Sequence, residues 1–169
     1  MKRYIISLCL VLATVWVWCN FSSASETNQV AAAVASTAPV NLAAEIARAK
    51  AENKLLLLEF GSSDTCPPCV VFEREVFSKP EFLAYEKTNL IFIRLDFPFR
   101  TEQTPEVKGT NILLAQQFEA SAFPTFVALD RDGKEFWRIP EKGDMSLDTR
   151  LFRPENFIAL IESVKKKEK

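Results

Sequence analysis

The spacing of apolar positions changes several times along the chain, and each change marks an element. Ile5 to Cys19 is nearly all apolar. It follows Lys2 and Arg3 and precedes the small residues Ser22-Ser23-Ala24. This is the three-part pattern of a secretory signal peptide. The run is shorter than the about 20 residues that a membrane span needs. Trp18 argues against lipid modification of Cys19, because a small residue is expected just before such a cysteine. Residues 1–24 therefore read as a signal peptide cleaved after Ala24, with an uncleaved N-terminal membrane anchor as the alternative. Residues 25–40 are rich in Ala, Ser and Thr without periodicity and read as a flexible linker. Residues 41–169 read as one domain.

Within that domain the period alternates between helix and strand. Leu42, Ile46 and Ala49 share one helical face between Asn41 and Asn53. Lys54 to Phe60 is a short apolar run ahead of Gly61-Ser62-Ser63, which predicts a buried parallel strand. A helical stretch follows from Cys66 to about Phe77. Ser78-Lys79-Pro80-Glu81 resembles a capping box that restarts a helix. Leu90 to Phe97 predicts the second central strand. Phe97 to Thr110 reads mainly as a solvated connection, with a helix starting at Pro105 or Asn111 and ending at Phe118. Phe126 to Leu129 and Glu135 to Ile139 flank the turn Asp130-Arg131-Asp132-Gly133 and predict a hairpin. Phe157, Leu160, Ile161 and Val164 give the last helix its apolar face, beginning near Pro154. The Lys-rich end of that helix suits the negative end of its dipole. The predicted order is α-β-α-β-α-β-β-α.

Composition narrows the chemistry. The chain has 169 residues, 48% of them apolar, and a formal net charge of −1, so no basic field points to nucleic acid. No glycine-rich phosphate loop is present, so no nucleotide is implied. There is no histidine. That absence removes imidazole general bases, Ser-His and Cys-His nucleophile pairs, and metal sites that need imidazole. Cleavage after Ala24 would remove Cys9 and Cys19 and leave Cys66 and Cys69 as the only cysteines. It would also remove two basic residues and no acid, leaving an exported, mildly acidic protein where disulfides can persist.

Cys66-Pro67-Pro68-Cys69 opens a helix directly after a buried strand. A helix N-terminus stabilises a thiolate through unpaired N–H groups and partial positive charge. Cys66 is expected to be the exposed attacking sulfur. Cys69, one turn on and more buried, is expected to resolve the mixed disulfide. The two prolines withhold two N–H donors from Cys66, so its pKa is expected to be only modestly depressed. Two other readings of the pair stay open. A static disulfide would staple a very short loop and stabilise little. Copper(I) accepts two soft ligands, although the pair alone cannot complete a zinc site.

LLLLEF before CPPC, then Phe123-Pro124-Thr125 before a hairpin and a C-terminal helix, resembles the thioredoxin superfamily over roughly residues 41–166. Cys69-Val70-Val71-Phe72-Glu73 looks most like exported members such as the C-terminal domain of the bacterial reductant conduit DsbD. The resemblance implies an α/β fold: a thioredoxin-like three-layer sandwich, its central mixed sheet flanked by helices. It implies a cis bond between Phe123 and Pro124 beside the cysteines, with the Phe123 backbone pairing an extended substrate peptide. Thr65 and Pro67, on either side of Cys66, join the substrate-binding residues. Glu59 takes the place of the family's buried acid, able to exchange a proton with Cys69. Glu73, one turn beyond Cys69, is the second acid, with an orientation to solvent as its alternative.

The sequence departs from the family at Thr65, where tryptophan is usual, and in the extra residue between Gly61 and Thr65. The expected activity is thiol–disulfide exchange with protein substrates, leaning towards reduction. The expected protein is a periplasmic or extracellular monomer, without metal or other cofactor beyond its redox disulfide. Its partners would be protein thiols and disulfides and a membrane or exported redox protein. A thioredoxin-fold binding module or copper metallochaperone without turnover is the alternative.

Overall fold

The computed structural model describes residues 38–144 and 146–168. The signal and most of the linker lie outside the described residues. Four strands form one mixed sheet in the order β2-β1-β3-β4. They are β1 (Leu55–Gly61), β2 (Leu90–Asp96), β3 (Thr125–Leu129) and β4 (Glu135–Ile139). β1 and β2 are parallel, and β3 is antiparallel to both β1 and β4. Among the described residues, five α-helices flank the sheet: α1 (Leu42–Glu52), α2 (Pro67–Phe72), α3 (Pro80–Asn89), α4 (Pro105–Gln117) and α5 (Pro154–Lys165). Among the described residues, no helix is long and apolar enough to cross a membrane.

Local chemistry sets the ends of these elements. Asn41 caps α1 by accepting the Ala44 N–H, and Thr104 caps α4 by accepting that of Val107. Proline occupies the first turn of α2, α3, α4 and α5, where a missing N–H costs nothing. In the β3–β4 turn, Asp130 Oδ1 accepts the N–H groups of Asp132 and Lys134, both at 2.9 Å. Gly133 closes that turn at φ 78°. That φ lies in the left-handed region that favours glycine, and a Cβ there would also stand 2.4 Å from the tip of the Ile46 side chain, which would have to move.

Two apolar layers cover the sheet. On one face Leu55, Leu57 and Phe126 pack with Phe72, Phe77, Phe82 and Phe157 from the elements after Cys66. On the other, Leu56, Leu58, Phe60, Ile91, Ile93 and Val127 pack with Ala49 of α1 and with Leu114 and Phe118. Trp137 on β4 packs at the border of the first layer. Each fully buried phenylalanine contributes about 1.5–3 kcal/mol. All of β1 is buried, which explains its unbroken run of leucines.

Three local expectations need correction. The helix after Cys66 is α-helical only to Phe72 and continues as a π-helix over Glu73–Phe77. The Ser78 box does not form. Lys79 is the cap residue and makes no side-chain cap bond, while the Ser78 hydroxyl donates back to the Arg74 carbonyl. The connection after β2 ends at Thr104, because α4 starts at Pro105. It is no loose connection either, since its backbone is tied to the loop ahead of Cys66. Both Phe123–Pro124 and Ile139–Pro140 are cis peptide bonds.

Candidate active site

Cys66 is the N-cap of α2, and its side chain is joined to Cys69 in a disulfide whose Cα atoms lie 5.3 Å apart. Pro67 and Pro68 fill the first two helical positions and carry no N–H. The donor that reaches Cys66 Sγ is therefore the Cys69 N–H, at 3.2 Å. The expected contrast in exposure between the sulfurs is absent: Cys66 is 7% exposed and Cys69 5%. Their surroundings differ instead. Cys66 sits at the open end of the helix, its sulfur accepting from the first turn. Cys69 Sγ faces the sheet, 3.3 Å from the point where a Cβ on Gly61 would stand.

Glu59 Oε1 lies 3.2 Å from that same point. A buried carboxylate and the inner sulfur thus converge over the one residue of β1 that has no side chain. Glu59 is 3% exposed on the layer otherwise filled by Leu55 and Leu57. Burial pushes its carboxyl up to about 7; the charge and hydrogen bond of Arg94 oppose that rise, and Glu73 and Asp96 add to it.

Arg94 was not foreseen as part of this centre. Its Nε donates to Glu59 Oε2 at 2.9 Å, and its Nη2 stands 2.5 Å from Glu73 Oε2. Burial disfavours the guanidinium charge, but the two carboxylates more than compensate and hold its pKa above the ordinary value. Glu73 is half-buried, so neither full exposure nor full burial describes it. The signal for Arg94 was present. Glu59 and Arg94 each follow four apolar residues in their strands, in fifth place, and in-register parallel pairing sets them side by side. A cleft of about 210 Å³ is lined by Glu59, Gly61, Cys69, Val70, Glu73 and Arg94, among others.

The loop ahead of Cys66 is held from both sides. Ser62 Oγ and Thr65 Oγ1 share a hydrogen bond of 2.7 Å. Asp96, at the end of β2, accepts the Ser63 N–H and hydroxyl, both at 2.8 Å. Asp64 accepts the N–H groups of Phe99 and Arg100 at 2.9 and 2.6 Å, which holds its carboxyl below the usual range. Pro124 directly precedes Thr125, the partner of Phe60, and so lies at the same sheet end as the cysteine loop. Phe123 is partly exposed and stacks on Phe97 with ring centres 5.1 Å apart. Among the described residues, no cluster of three or more Cys, Asp or Glu could hold a metal ion.

The thioredoxin-like domain family matches residues 42–150, more than half of the chain. The chain belongs to the thioredoxin-like family. The disulfide bond reductase DsbH of Chlamydia pneumoniae is 29% identical over 90 residues, covering 53% of this chain and 54% of that protein. This thioredoxin-like chain thus spans about half the length of that relative. A solved structure described as a DsbH oxidoreductase superposes with a TM-score of 0.63 at 22% identity, covering 89% of this chain and 98% of that one. The oxidised C-terminal domain of Neisseria meningitidis DsbD superposes with a TM-score of 0.47 at 18% identity, over 72% and 90% of the two chains.

Proposed function

We propose that this thioredoxin-like chain is an exported thiol–disulfide oxidoreductase that works mainly as a reductase on protein disulfides. The observation that carries the reading is the Cys66–Cys69 disulfide at the start of α2, with the Glu59 carboxylate on its inner side. In the reduced protein, the Cys66 thiolate attacks a substrate disulfide. One substrate thiol leaves, and a mixed disulfide forms. The Cys69 thiol gives its proton to Glu59 and attacks Cys66. The Cys66–Cys69 bond forms, and the second substrate sulfur leaves as a thiolate that takes a proton from solvent. Two electrons pass to the substrate, and a membrane or exported dithiol donor restores the pair.

The reductase direction is supported by the two prolines, which leave Cys66 Sγ with the single backbone donor Cys69 N–H. It is also supported by the reductase activity named for the C. pneumoniae relative. Thr65, Pro67, Phe123 and Pro124 surround the cysteine end of the sheet and are proposed to receive the substrate peptide. Glu73 is proposed to share the proton with Glu59. Export rests on the N-terminal signal pattern.

The test is the reduction potential of the Cys66–Cys69 pair, measured by equilibration in glutathione buffers. A value near about −270 mV fits a reductase, whereas about −120 to −180 mV fits an oxidant or isomerase. Cys69→Ser is expected to accumulate mixed disulfides with protein substrates and Cys66→Ser to accumulate none. A pair that never equilibrates would replace this reading with a binding module.

A further inference from the structure

Glu135 and Arg138 stand three residues apart on β4, a spacing that puts side chains on opposite faces of a regular strand. A bulge changes this. Ala128 of β3 faces Trp137 while Leu129 faces Glu135, so Phe136 is the extra residue. Phe136 and Trp137 both pack against the first apolar layer, and the alternation of β4 resets between them. Glu135 and Arg138 thereby share the opposite face, that of their partners Leu129 and Val127. There Arg138 Nε and Nη2 donate to the two Glu135 oxygens, and only 5% of the arginine side chain is exposed. The same Nη2 donates to the carbonyl of Phe118, the C-terminal cap of α4. The last carbonyls of a helix have no donor within it, and a cation suits that end of the dipole.

What Arg138 grips is the root of the loop that carries Phe123. Just beyond Phe118, Glu119 turns the chain at a left-handed φ of 50°. The N–H groups of Glu119 and Ala120 return to the carbonyls of Gln116 and Ala115, and Lys142 Nζ meets the Glu119 carboxylate at 2.8 Å. At the other end of the loop the Thr125 hydroxyl donates to the Ala122 carbonyl at 2.7 Å. A groove of about 460 Å³ lies against this loop, lined by Phe97, Ile112, Glu119, Phe123 and Lys142, among others.

We propose that Arg138 is a positioning residue for substrate recognition: by tying the end of α4 to β4 it sets where the Phe123 backbone stands to receive an extended disulfide-bearing peptide. The inference rests on the exchange reaction proposed above. Arg138 leaves the exchange step itself to the cysteines, so extended peptides and small disulfides feel its loss differently. The role is specific to arginine, because one planar fork serves a carboxylate and a carbonyl together, whereas a lysine ammonium is a single point charge.

The test compares two disulfides on the reduced full chain, on Arg138→Gln and on Arg138→Lys. One is bis(2-hydroxyethyl) disulfide, which has no peptide backbone. The other is a short unstructured peptide whose single cysteine is disulfide-bonded to 2-mercaptoethanol. Formation of the Cys66–Cys69 bond is followed by quenched-reaction mass spectrometry. In Arg138→Gln the rate at low peptide concentration is expected to fall about tenfold or more, with a higher half-saturating concentration and the same limiting rate. Exchange with the small disulfide and the reduction potential should stay as in the wild type. Arg138→Lys should lose less on the peptide. Equal losses on both disulfides, an unchanged peptide rate in the folded variants, or a shifted potential overturns the proposal. So does a wild type that handles the peptide no faster than the small disulfide. Should Arg138→Gln not fold, the same readouts on Arg138→Lys decide. A wild type that exchanges with neither disulfide removes the proposed function instead. Amide exchange at Glu119 and Ala120 then decides the clamp, which falls if both amides stay as slow in Arg138→Lys as in the wild type.

Discussion

Asp64 accepts the backbone N–H of Phe99 across the gap between the cysteine loop and the chain leaving β2. The same carboxylate takes the Arg100 N–H, so one side chain ties together two loops distant in sequence. Asp64→Ala should release them. Amide exchange at Phe99 and Arg100 is expected to speed up roughly tenfold or more, while exchange in β1 stays slow. Hydrogen-exchange mass spectrometry or NMR would resolve the two regions. Unchanged exchange at both amides would show that the clamp does not hold the loop.

Gly61 separates the acid from the inner sulfur. Its Cβ in Gly61→Ala would stand 3.2 Å from Glu59 Oε1 and 3.3 Å from Cys69 Sγ, closer than either neighbour accepts without shifting. Alanine adopts a strand backbone without strain, so the expected loss lies in chemistry more than in folding. Overpacking of this kind costs about 1–3 kcal/mol. Resolution by Cys69 should slow, and mixed disulfides should persist longer than in the wild type. Quenched-reaction mass spectrometry measures both.

Glu59 also makes stability depend on pH. Its folded midpoint of about 7 lies above the ordinary 4.5, so the native state keeps a proton that the unfolded chain releases. The contribution is fully present below about 4.5, is lost as pH rises to about 7, and changes no further above that. In Glu59→Gln this fall should vanish. Urea midpoints at about pH 5 and about pH 8 are expected to differ less in the variant, by roughly 2 kcal/mol of unfolding free energy. Parallel curves for the two proteins would refute the assignment of a raised pKa to this carboxyl.

Phe72 is fully buried three residues after Cys69. Its ring lies 4.9 to 5.5 Å from the rings of Phe77, Phe126, Phe152 and Phe157. Phe72→Ala would leave a cavity that this cluster cannot easily close. A loss of about 3–5 kcal/mol is expected by chemical denaturation. Because α2 rests on this ring, the reduction potential should change as well. A loss below about 1 kcal/mol would mean that the cluster repacks.

The layers of the fold were legible because apolar runs and turn residues carry them. The four leucines ahead of Glu59, the Asp130–Gly133 turn and the face of α5 each announce their element. The CPPC pair announced the site. The rest depended on tertiary partners. Nothing local distinguishes an α-turn from the π-turn over Glu73–Phe77, whose one phenylalanine, Phe77, is set by packing across the sheet. Ser78 carried a capping signal, but its hydroxyl found a carbonyl behind it instead. Arg94 was readable only by pairing two strands in register, and Asp64 only by knowing which backbone passes overhead. The exposure of Cys66 was misjudged because position in a helix does not report what lies against the sulfur.

Trp137 is the only tryptophan among the described residues; the other two, Trp16 and Trp18, stand in the N-terminal apolar run. It sits on β4, with β3 between that strand and β1. Intrinsic fluorescence of the domain is therefore a lamp at the hairpin edge, and it reports whether the sheet is assembled. It is poorly placed to tell oxidised from reduced sulfur. Experiments on this chain need two clocks, one optical for folding and one that counts thiols.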